Sequence, residues 1–514
     1  MKVLLEMRPA LEGHAGIPQE VRLLFRGLTT LEGVSVEGLL QSSSRILGRG
    51  LPQPQSAAYA RLTIDQRIHR LSRVVVSLRA SQNPRTVERL ADGLRMTLAP
   101  LRIAGRALLG LEHKLGVFEG EHFQDFVWRE MFARTLPVAD MPNVCKARMR
   151  VARTPWNLAH SVALLSHKLG HAVYPRIDTR DFDVMIAETP YPGVVSKGTQ
   201  MVVRYHDAVP ILMPHTITDK SFHQASHYHA LKRNVKSGAW FACVSDATRR
   251  DLLSIFPEVE PRSLTIHNMV SHHYHEESTS AGRLFEIVRT RRHSFEERTP
   301  SGRLRGLVAM LRHSATKSVE PDPMRWMSPS HQYLLMVSTI EPRKNHATLL
   351  SAWEQLRQER FPDLKLVIVG SLGWDHASIL RRFRPWMATN GDVQMLEEVP
   401  AAELRVLYHH AAATVCPSLG EGFDFSGVEA MRCGNPVVAS DIQVHRDVFG
   451  PAAEYFKTYS PSDLARAVEA VIDPAHDGHR RAMIERGRDV SDAYLPERIL
   501  PQWQSFLQGL PRRQ

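Results

Sequence analysis

Ser418-Leu-Gly-Glu421-Gly-Phe-Asp-Phe-Ser-Gly-Val-Glu429-Ala-Met-Arg-Cys-Gly434-Asn-Pro-Val-Val-Ala-Ser440 sets two carboxylates eight positions apart, across a glycine-bearing turn and a helix start. The run before it, Ala413-Thr-Val-Cys-Pro, is short and apolar enough for a buried strand, and Val428 to Cys433 has the spacing of first helical turns. Gly420, Gly422 and Gly427 are therefore expected in a strand-to-helix turn. A helix that starts there leaves backbone N–H groups unpaired beside a partial positive charge, which suits a phosphate. Glu421 lies between two glycines, where it has no capping geometry to serve, and a carboxylate readily accepts hydrogen bonds from sugar hydroxyls. Glu429 has two readings. It can hold a ligand, or it can complete a capping box with Ser426 three residues before it.

A second motif stands upstream. Tyr333-Leu-Leu-Met-Val-Ser-Thr-Ile340 is expected as a buried strand that opens into Glu341-Pro-Arg343-Lys344-Asn345 before an amphipathic helix over His346 to Glu359. Two cations then sit at the carboxyl end of a strand, the edge at which open α/β sheets bind ligands. The segments E-G-F-x5-E-A-M-x2-G-x-P-V and P-R-K-N together resemble the retaining glycosyltransferases of family 4, glycosyl transferases group 1, and among them the bacterial mannosyl- and hexosyltransferases of surface polysaccharide assembly.

The resemblance implies an α/β, GT-B fold: two Rossmann-like domains facing each other across a cleft. It implies that Arg343 and Lys344 hold a donor diphosphate and offset charge on the leaving group, that Glu421 touches donor-sugar hydroxyls, and that Glu429 holds the ribose. Gly422, Phe423 and Asp424 complete the donor turn, and Val399 offers backbone contacts to the base from Glu397-Glu-Val-Pro400. Asp424, Phe425 and Ser426 stand where the family usually has Gly-Leu-Pro, so the donor sugar is left open, as is the nucleobase. Between the motifs, Lys365 to Gly370, Asp392 to Leu396, Thr414 to Cys416 and Pro436 to Ser440 are expected as strands, with helices over Ala402 to Ala412 and Ser462 to Ile472, the alternation of a parallel sheet.

The first half matches more sparsely. Lys2 to Glu6 is a short strand, and His14-Ala-Gly16-Ile-Pro-Gln-Glu20 leads into an amphipathic run from Val21 to Leu28. Gly16 resembles the family's glycine at this turn. Met201-Val-Val-Arg-Tyr-His206-Asp207 is a strand ending in His-Asp, similar to the family's histidine at the edge of the donor sugar, and Cys243-Val-Ser-Asp-Ala-Thr-Arg-Arg-Asp-Leu252 resembles another family segment. The expected organisation is a first domain over 1–325, with a basic helical insert over about 45–150, a nucleotide-sugar domain over 331–490, and a segment over 491–514 that crosses back.

Other chemistries find less support. Asp181-Phe-Asp183 has the form by which some transferases hold a divalent cation, but it leads straight into the strand Val184 to Ala187. His267, His272, His273 and His275 lack zinc-ligand spacing. No P-loop or G-x-G-x-x-G follows an expected strand, which argues against a kinase or a dehydrogenase. No cofactor or metal is expected, with a nucleoside-diphosphate sugar as donor substrate and a saccharide or lipid-linked saccharide as acceptor. The alternatives of different class are a GT-B epimerase or phosphorylase and a non-catalytic, membrane-associated GT-B scaffold. The presence of both Glu421 and Lys344 argues against the scaffold.

Composition agrees with two domains: 514 residues at 43% hydrophobic can bury two cores. The four cysteines form no C-x-x-C pair, and no secretory signal pattern or membrane span is evident, so a cytoplasmic location is expected. The formal charge is +11, and Arg61 to Leu115 alone has ten Arg and one Lys against two Asp and two Glu. Apolar residues recur there at helical spacing (Ile64, Ile68, Leu71, Val75, Leu78, then Leu98, Leu101, Ala104, Leu108, Leu111). The segment is either an amphipathic surface for anionic lipid on the inner face of the plasma membrane or a helical elaboration packed on the first domain. It has few aromatics to stack bases, so nucleic acid is not expected. Glu276 to Ser328 is polar and weakly periodic, and is expected as a surface excursion.

Overall fold

Short apolar runs, each stopped by a turn residue, build two mostly parallel sheets. The computed structural model describes residues 1–11, 13, 16–45, 56–78, 99–107, 109–168, 170–292, 332–389 and 391–511. In chain order the strands are β1 (Lys2–Glu6), β2 (Ser35–Gln41), β3 (Glu112–His113), β4 (Gly116–Phe118), β5 (Met149–Ala152), β6 (Arg176–Ile177), β7 (Val184–Ala187), β8 (Gln200–Tyr205), β9 (Trp240–Cys243) and β10 (Ser263–Thr265), followed by β11 (Tyr333–Val337), β12 (Lys365–Val369), β13 (Val393–Leu396), β14 (Ala413–Cys416), β15 (Val437–Ser440) and β16 (Ala453–Phe456). The first sheet has the order β10-β9-β8-β7-β1-β2-β5-β4, the second β13-β12-β11-β14-β15-β16, and β3 pairs with β6 alone. All pairings are parallel except β4 with β5.

Alternation along the strands puts a core on each face of each sheet. In the first sheet, Val3, Leu5, Val184 and Ile186 join Leu24 and Phe25 on one side, while Leu4, Met185 and Ala187 join Tyr205, Leu231 and Phe241 on the other. In the second, Leu335 and Val367 face one core and Leu334, Met336, Leu366 and Ile368 the opposite one. The last helix, Pro496–Gly509, returns to the first domain, where Ile499, Trp503, Phe506 and Leu507 complete the core under β1 and β7.

The second sheet has its strands in the spatial order 3-2-1-4-5-6 of a doubly wound nucleotide-binding domain, so its topological switch point falls between β11 and β14. In the first sheet the sequential strand order reverses between β1 and β7. Loops that leave these strands at their carboxyl ends are therefore neighbours in space, however far apart in sequence.

Two features depart from the expectations, and two readings weighed against alternatives find their structural outcome. Gly427 lies inside helix Phe425–Arg432 rather than in the turn, because the helix starts three residues earlier than its apolar spacing suggests. Part of the stretch from Glu276 forms a regular helix, Ala281–Arg291, with Leu284, Ile287 and Val288 buried; residues 293–328 lie outside the described residues. In helix Ile64–Leu78, Leu71 and Val74 are buried in the first-domain core and Arg67 pairs with Glu119 at 3.5 Å, so most of this apolar stripe faces protein. Leu98 and Leu108 lie outside the described residues. Asp181 and Asp183 do not converge: Asp183 Oδ2 accepts the Lys2 N–H at 2.7 Å and Asp181 pairs with Arg150 at 3.4 Å. All four cysteines are free and buried. No helix among the described residues is long and apolar enough to cross a membrane.

A Cβ at Gly427 would lie 2.2 Å from the Phe449 ring. On helix propensity alone, Gly427→Ala should stabilise by about 1 kcal/mol. Overpacking, typically about 1–3 kcal/mol, is expected to win, so the variant should melt at a lower temperature than the wild type; a rise in Tm would show that the ring yields freely.

Candidate functional site

The switch point of the second sheet collects the charged residues. After β11, Pro342–Lys344 forms a single 3-10 turn that ends at Asn345, whose left-handed conformation (φ 58°) is held by its side-chain amide, which donates to the carbonyls of Pro417 and Thr458 at 3.0 Å each. The turn is thereby tied to the loop after β14. Arg343 donates to the Gly420 carbonyl (2.6 Å), to Glu421 Oε2 (2.9 Å) and to Glu341 Oε1 (3.0 Å), and the Lys344 ammonium pairs with Glu421 Oε1. Burial alone would raise the Glu421 carboxyl, but the Arg343 and Lys344 charges outweigh it and hold it below its ordinary value. Burial disfavours the Arg343 cation, yet Glu421, Glu341 and Asp207 together hold it more firmly protonated than usual.

The next turn caps its helix in an unforeseen way. Asp424, not Ser426, is the N-cap of Phe425–Arg432: it adopts φ 61° and its Oδ1 accepts from Ser426 N (3.2 Å) and Ser426 Oγ (2.6 Å). Its Oδ2 lies 3.1 Å from Nε2 of buried His445. Burial raises this carboxyl, but the hydrogen bond and charge of His445, with Lys344, carry it well below the usual carboxylate range. The capping box of Ser426 and Glu429 is therefore absent, because an aspartate in the left-handed region takes the cap two residues early. Phe423 turns its ring into the core against Phe425 and Tyr494, at 5.2 and 5.1 Å. Val399 packs partly buried on the same core.

Freed from capping, Glu429 reaches the first domain. Its Oε1 accepts from Gln19 Nε2 at 2.8 Å and its Oε2 from the Tyr408 hydroxyl at 3.1 Å. Gln19 lies on helix Ile17–Leu28, whose N-cap is Gly16 with φ 72°; a Cβ at Gly16 would meet nothing within 4 Å, so that turn is open to a ligand. Burial pushes Glu429 up to about 7, against the pull of its hydrogen bonds from Gln19, Tyr408 and Tyr274.

His206 follows β8 directly and its carbonyl closes on the second domain. A Cβ at Gly422 would sit 1.9 Å from that oxygen, so only glycine allows this approach. Thr248 Oγ1 lies 3.3 Å from the carbonyls of both His206 and Gly422, and Asp447 Oδ2 accepts the N–H groups of Asp246 and Ala247, at 2.6 and 3.1 Å, at the start of helix Asp246–Ile255. His206 itself is buried, with Nε2 3.3 Å from Glu188 Oε2. Burial pulls it down to about 4.

Arg343, Lys344 and Glu421 are thus in mutual contact, with the Gly422 turn against His206 and Glu429 against the Gly16 helix. Sequence reasoning missed Gln19, Tyr408, Glu341 and the polar group beneath His206: Glu6, Glu20, Glu188 and Arg204. The signal for the last was a charged residue within or just after an apolar strand, as in Met-Val-Val-Arg204-Tyr and Lys-Val-Leu-Leu-Glu6. Among the described residues no group of three metal-ligating side chains is gathered.

Residues 328–490 match the family model described as glycosyl transferases group 1. Over 135 residues the chain is 38% identical to the serotype-specific mannosyltransferase WbdA of Escherichia coli, which covers 26% of this chain and 16% of that protein. Over 120 residues it is 37% identical to the O-antigen chain mannosyltransferase B of Escherichia coli, covering 23% of this chain and 31% of that one. The chain therefore spans less than a third of the length of either of these relatives. Sucrose-phosphate synthase from Thermosynechococcus elongatus superposes over 99% of this chain and 98% of its own, with a TM-score of 0.56 at 14% identity. The fold is GT-B.

The Glu429 carboxyl gives a test by pH. A group whose folded-state value is raised adds stability below its unfolded value, about 4.3, and that contribution is lost as pH rises through about 7. The Tm of wild type relative to Glu429→Gln should therefore fall between about pH 5 and about pH 8; a difference independent of pH would mean that Glu429 is ionised throughout.

Proposed function

We propose that this protein is a retaining glycosyltransferase that moves a hexose, mannose or a similar sugar, from a nucleoside-diphosphate sugar to a saccharide or lipid-linked saccharide in polysaccharide or lipopolysaccharide synthesis. The observation that carries the reading is the pairing of Arg343 and Lys344 with Glu421 at the switch point of the second sheet. Arg343 and Lys344 bind the diphosphate and stabilise the charge that grows on it as the glycosidic bond breaks. Glu421, released from part of that pairing, accepts hydroxyl hydrogen bonds of the donor sugar. Glu429 holds the ribose in place of Gln19, and the Val399 backbone meets the base. Gly422, Phe423 and Asp424 shape the turn, Gly16 leaves room for donor and acceptor, and His206 edges the sugar. Protein cations do the work that a divalent ion does in other transferases, so neither metal nor cofactor is needed. The names of the mannosyltransferase relatives support mannose as the hexose.

A lipid-linked acceptor would bring the protein to the inner face of the plasma membrane as a peripheral cytoplasmic enzyme. Leu101, Leu109 and Leu111 are exposed beside the exposed Arg102 and Arg106, which supports contact with anionic lipid through both apolar burial and charge. The protein should sediment with anionic but not neutral vesicles at low salt, and reversal of Arg102 and Arg106 should weaken this. Failure to bind anionic vesicles at any salt would leave the segment a soluble elaboration.

Lys344→Ala should lower turnover of the nucleotide sugar by at least about 100-fold, the size expected for one lost electrostatic donor. Wild-type turnover should persist in EDTA. Near-normal turnover in the variant, or activity lost in EDTA and restored by manganese, would contradict the assignment.

A further inference from the structure

The ends of β1, β7 and β8 place Glu6, Glu188 and His206 in a row at the carboxyl edge of the first sheet. Glu188 follows β7 directly and is fully buried. Its N–H donates to Glu6 Oε2 at 3.0 Å, and its Oε2 lies 3.3 Å from His206 Nε2. Its Oε1 is buried with no hydrogen-bond partner.

Two neighbouring carboxyls have a cation in contact. Glu6, from β1, pairs with Arg8 at 3.1 Å. Glu20, from helix Ile17–Leu28, accepts from Arg204 of β8 at 2.8 and 3.1 Å. Asp207 follows His206 and adds to the field that keeps Arg343 charged. Neither Glu188 nor Asp207 has an arginine or lysine in contact among the described residues, but Asp207 is only half-buried and accepts the Val209 N–H at 3.0 Å, whereas Glu188 is fully buried. A carboxylate sealed from water with no paired cation takes up a proton instead.

We propose that Glu188 is a positioning residue for His206: as a neutral carboxylic acid it donates its O–H to His206 Nε2, fixing the imidazole as the neutral Nδ1–H tautomer. The ring then presents an N–H donor, rather than a proton acceptor, to the occupant of the cleft. This deepens the transferase reading, in which His206 edges the donor sugar. The protonation states agree in direction. Burial pushes Glu188 up to about 8, with Arg204 opposing, and Glu6 up to about 7, with Arg8 opposing; it pulls His206 down to about 4. When Glu188 ionises at alkaline pH, the hydrogen bond must reverse and the ring proton must move to Nε2.

The ring nitrogens of 15N-histidine-labelled protein, with His206 assigned from the signals lost in His206→Asn, report the tautomer directly. Wild type should show Nδ1–H at pH 7 and switch to Nε2–H as pH passes about 8. Glu188→Gln should hold one tautomer across that range, because a carboxamide does not titrate. An Nε2–H tautomer or an imidazolium at pH 7, or the same switch in Glu188→Gln, would overturn the proposal. In turnover, kcat of wild type should fall as pH passes about 8, and Glu188→Gln should lack that fall. Glu188→Ala should lower kcat more than it changes donor KM, as when an imidazole loses the group that fixes its tautomer. An alkaline fall in Glu188→Gln equal to that of wild type would contradict the role. The tautomer is read without turnover, so failure to use any nucleotide sugar would remove the transferase reading and leave this one standing.

Discussion

One buried carboxylate between two cations organises the second domain. Glu421 is held by both Arg343 and Lys344, and the same guanidinium reaches Glu341 and the Gly420 carbonyl, so the loops after β11 and β14 are bound into one unit. Removing one partner from such a buried group leaves an uncompensated charge, which typically costs about 3–5 kcal/mol. The arrangement is tolerable because it is over-determined: the Asn345 amide also joins the loops after β11 and β14 through the Pro417 carbonyl and ties them to the loop after β16 through that of Thr458. Glu421 satisfies both cations, and in the proposed reading a diphosphate exchanges with part of that contact rather than burying new charge.

The first domain meets this unit through backbone more than through side chains. The Gly422 turn lies against the His206 carbonyl, Thr248 stands between the two, and Asp447 caps a helix of the opposite domain. Glu429 and Gln19 add a side-chain contact at the position proposed for a ribose. Both sheets thus present their switch points to a shared crevice, the general location of ligand sites in open α/β sheets. The polar layer under His206 belongs to the same logic: strand ends at a carboxyl edge bring Glu6, Glu188 and Arg204 together beneath the cleft, where burial favours the protonated form of the two carboxyls.

Much of this was legible from local pattern. Helix His346–Glu359 falls where its periodicity and the preceding Pro-Arg-Lys-Asn put it; β12 to β15 match their apolar runs to within a residue at each end, β11 stops three residues before Ile340, and β16 was not foreseen. The grouping of Arg343, Lys344 and Glu421 was legible because each lies just beyond a recognisable strand. The contact of Gln19 with Glu429 was not, since it joins residues 410 positions apart and depends on how the domains close. The Ser426 capping box failed for a local reason: Asp424 competes for the same amides, and pattern alone cannot show which side chain takes the left-handed turn. The stripe from Ile64 to Leu78 was read correctly as amphipathic, but periodicity does not say whether its apolar face meets protein or lipid.

The central claim is that the Arg343–Lys344 edge is a diphosphate site. Calorimetric titration of the purified protein with a nucleoside, its monophosphate and its diphosphate, for each of the uracil, guanine, adenine and thymine series, tests it most directly. For one base the account predicts binding that strengthens steeply from nucleoside to diphosphate and loses that gain in Lys344→Ala. Equal affinity for nucleoside and diphosphate, or a diphosphate gain unchanged in Lys344→Ala, would contradict it.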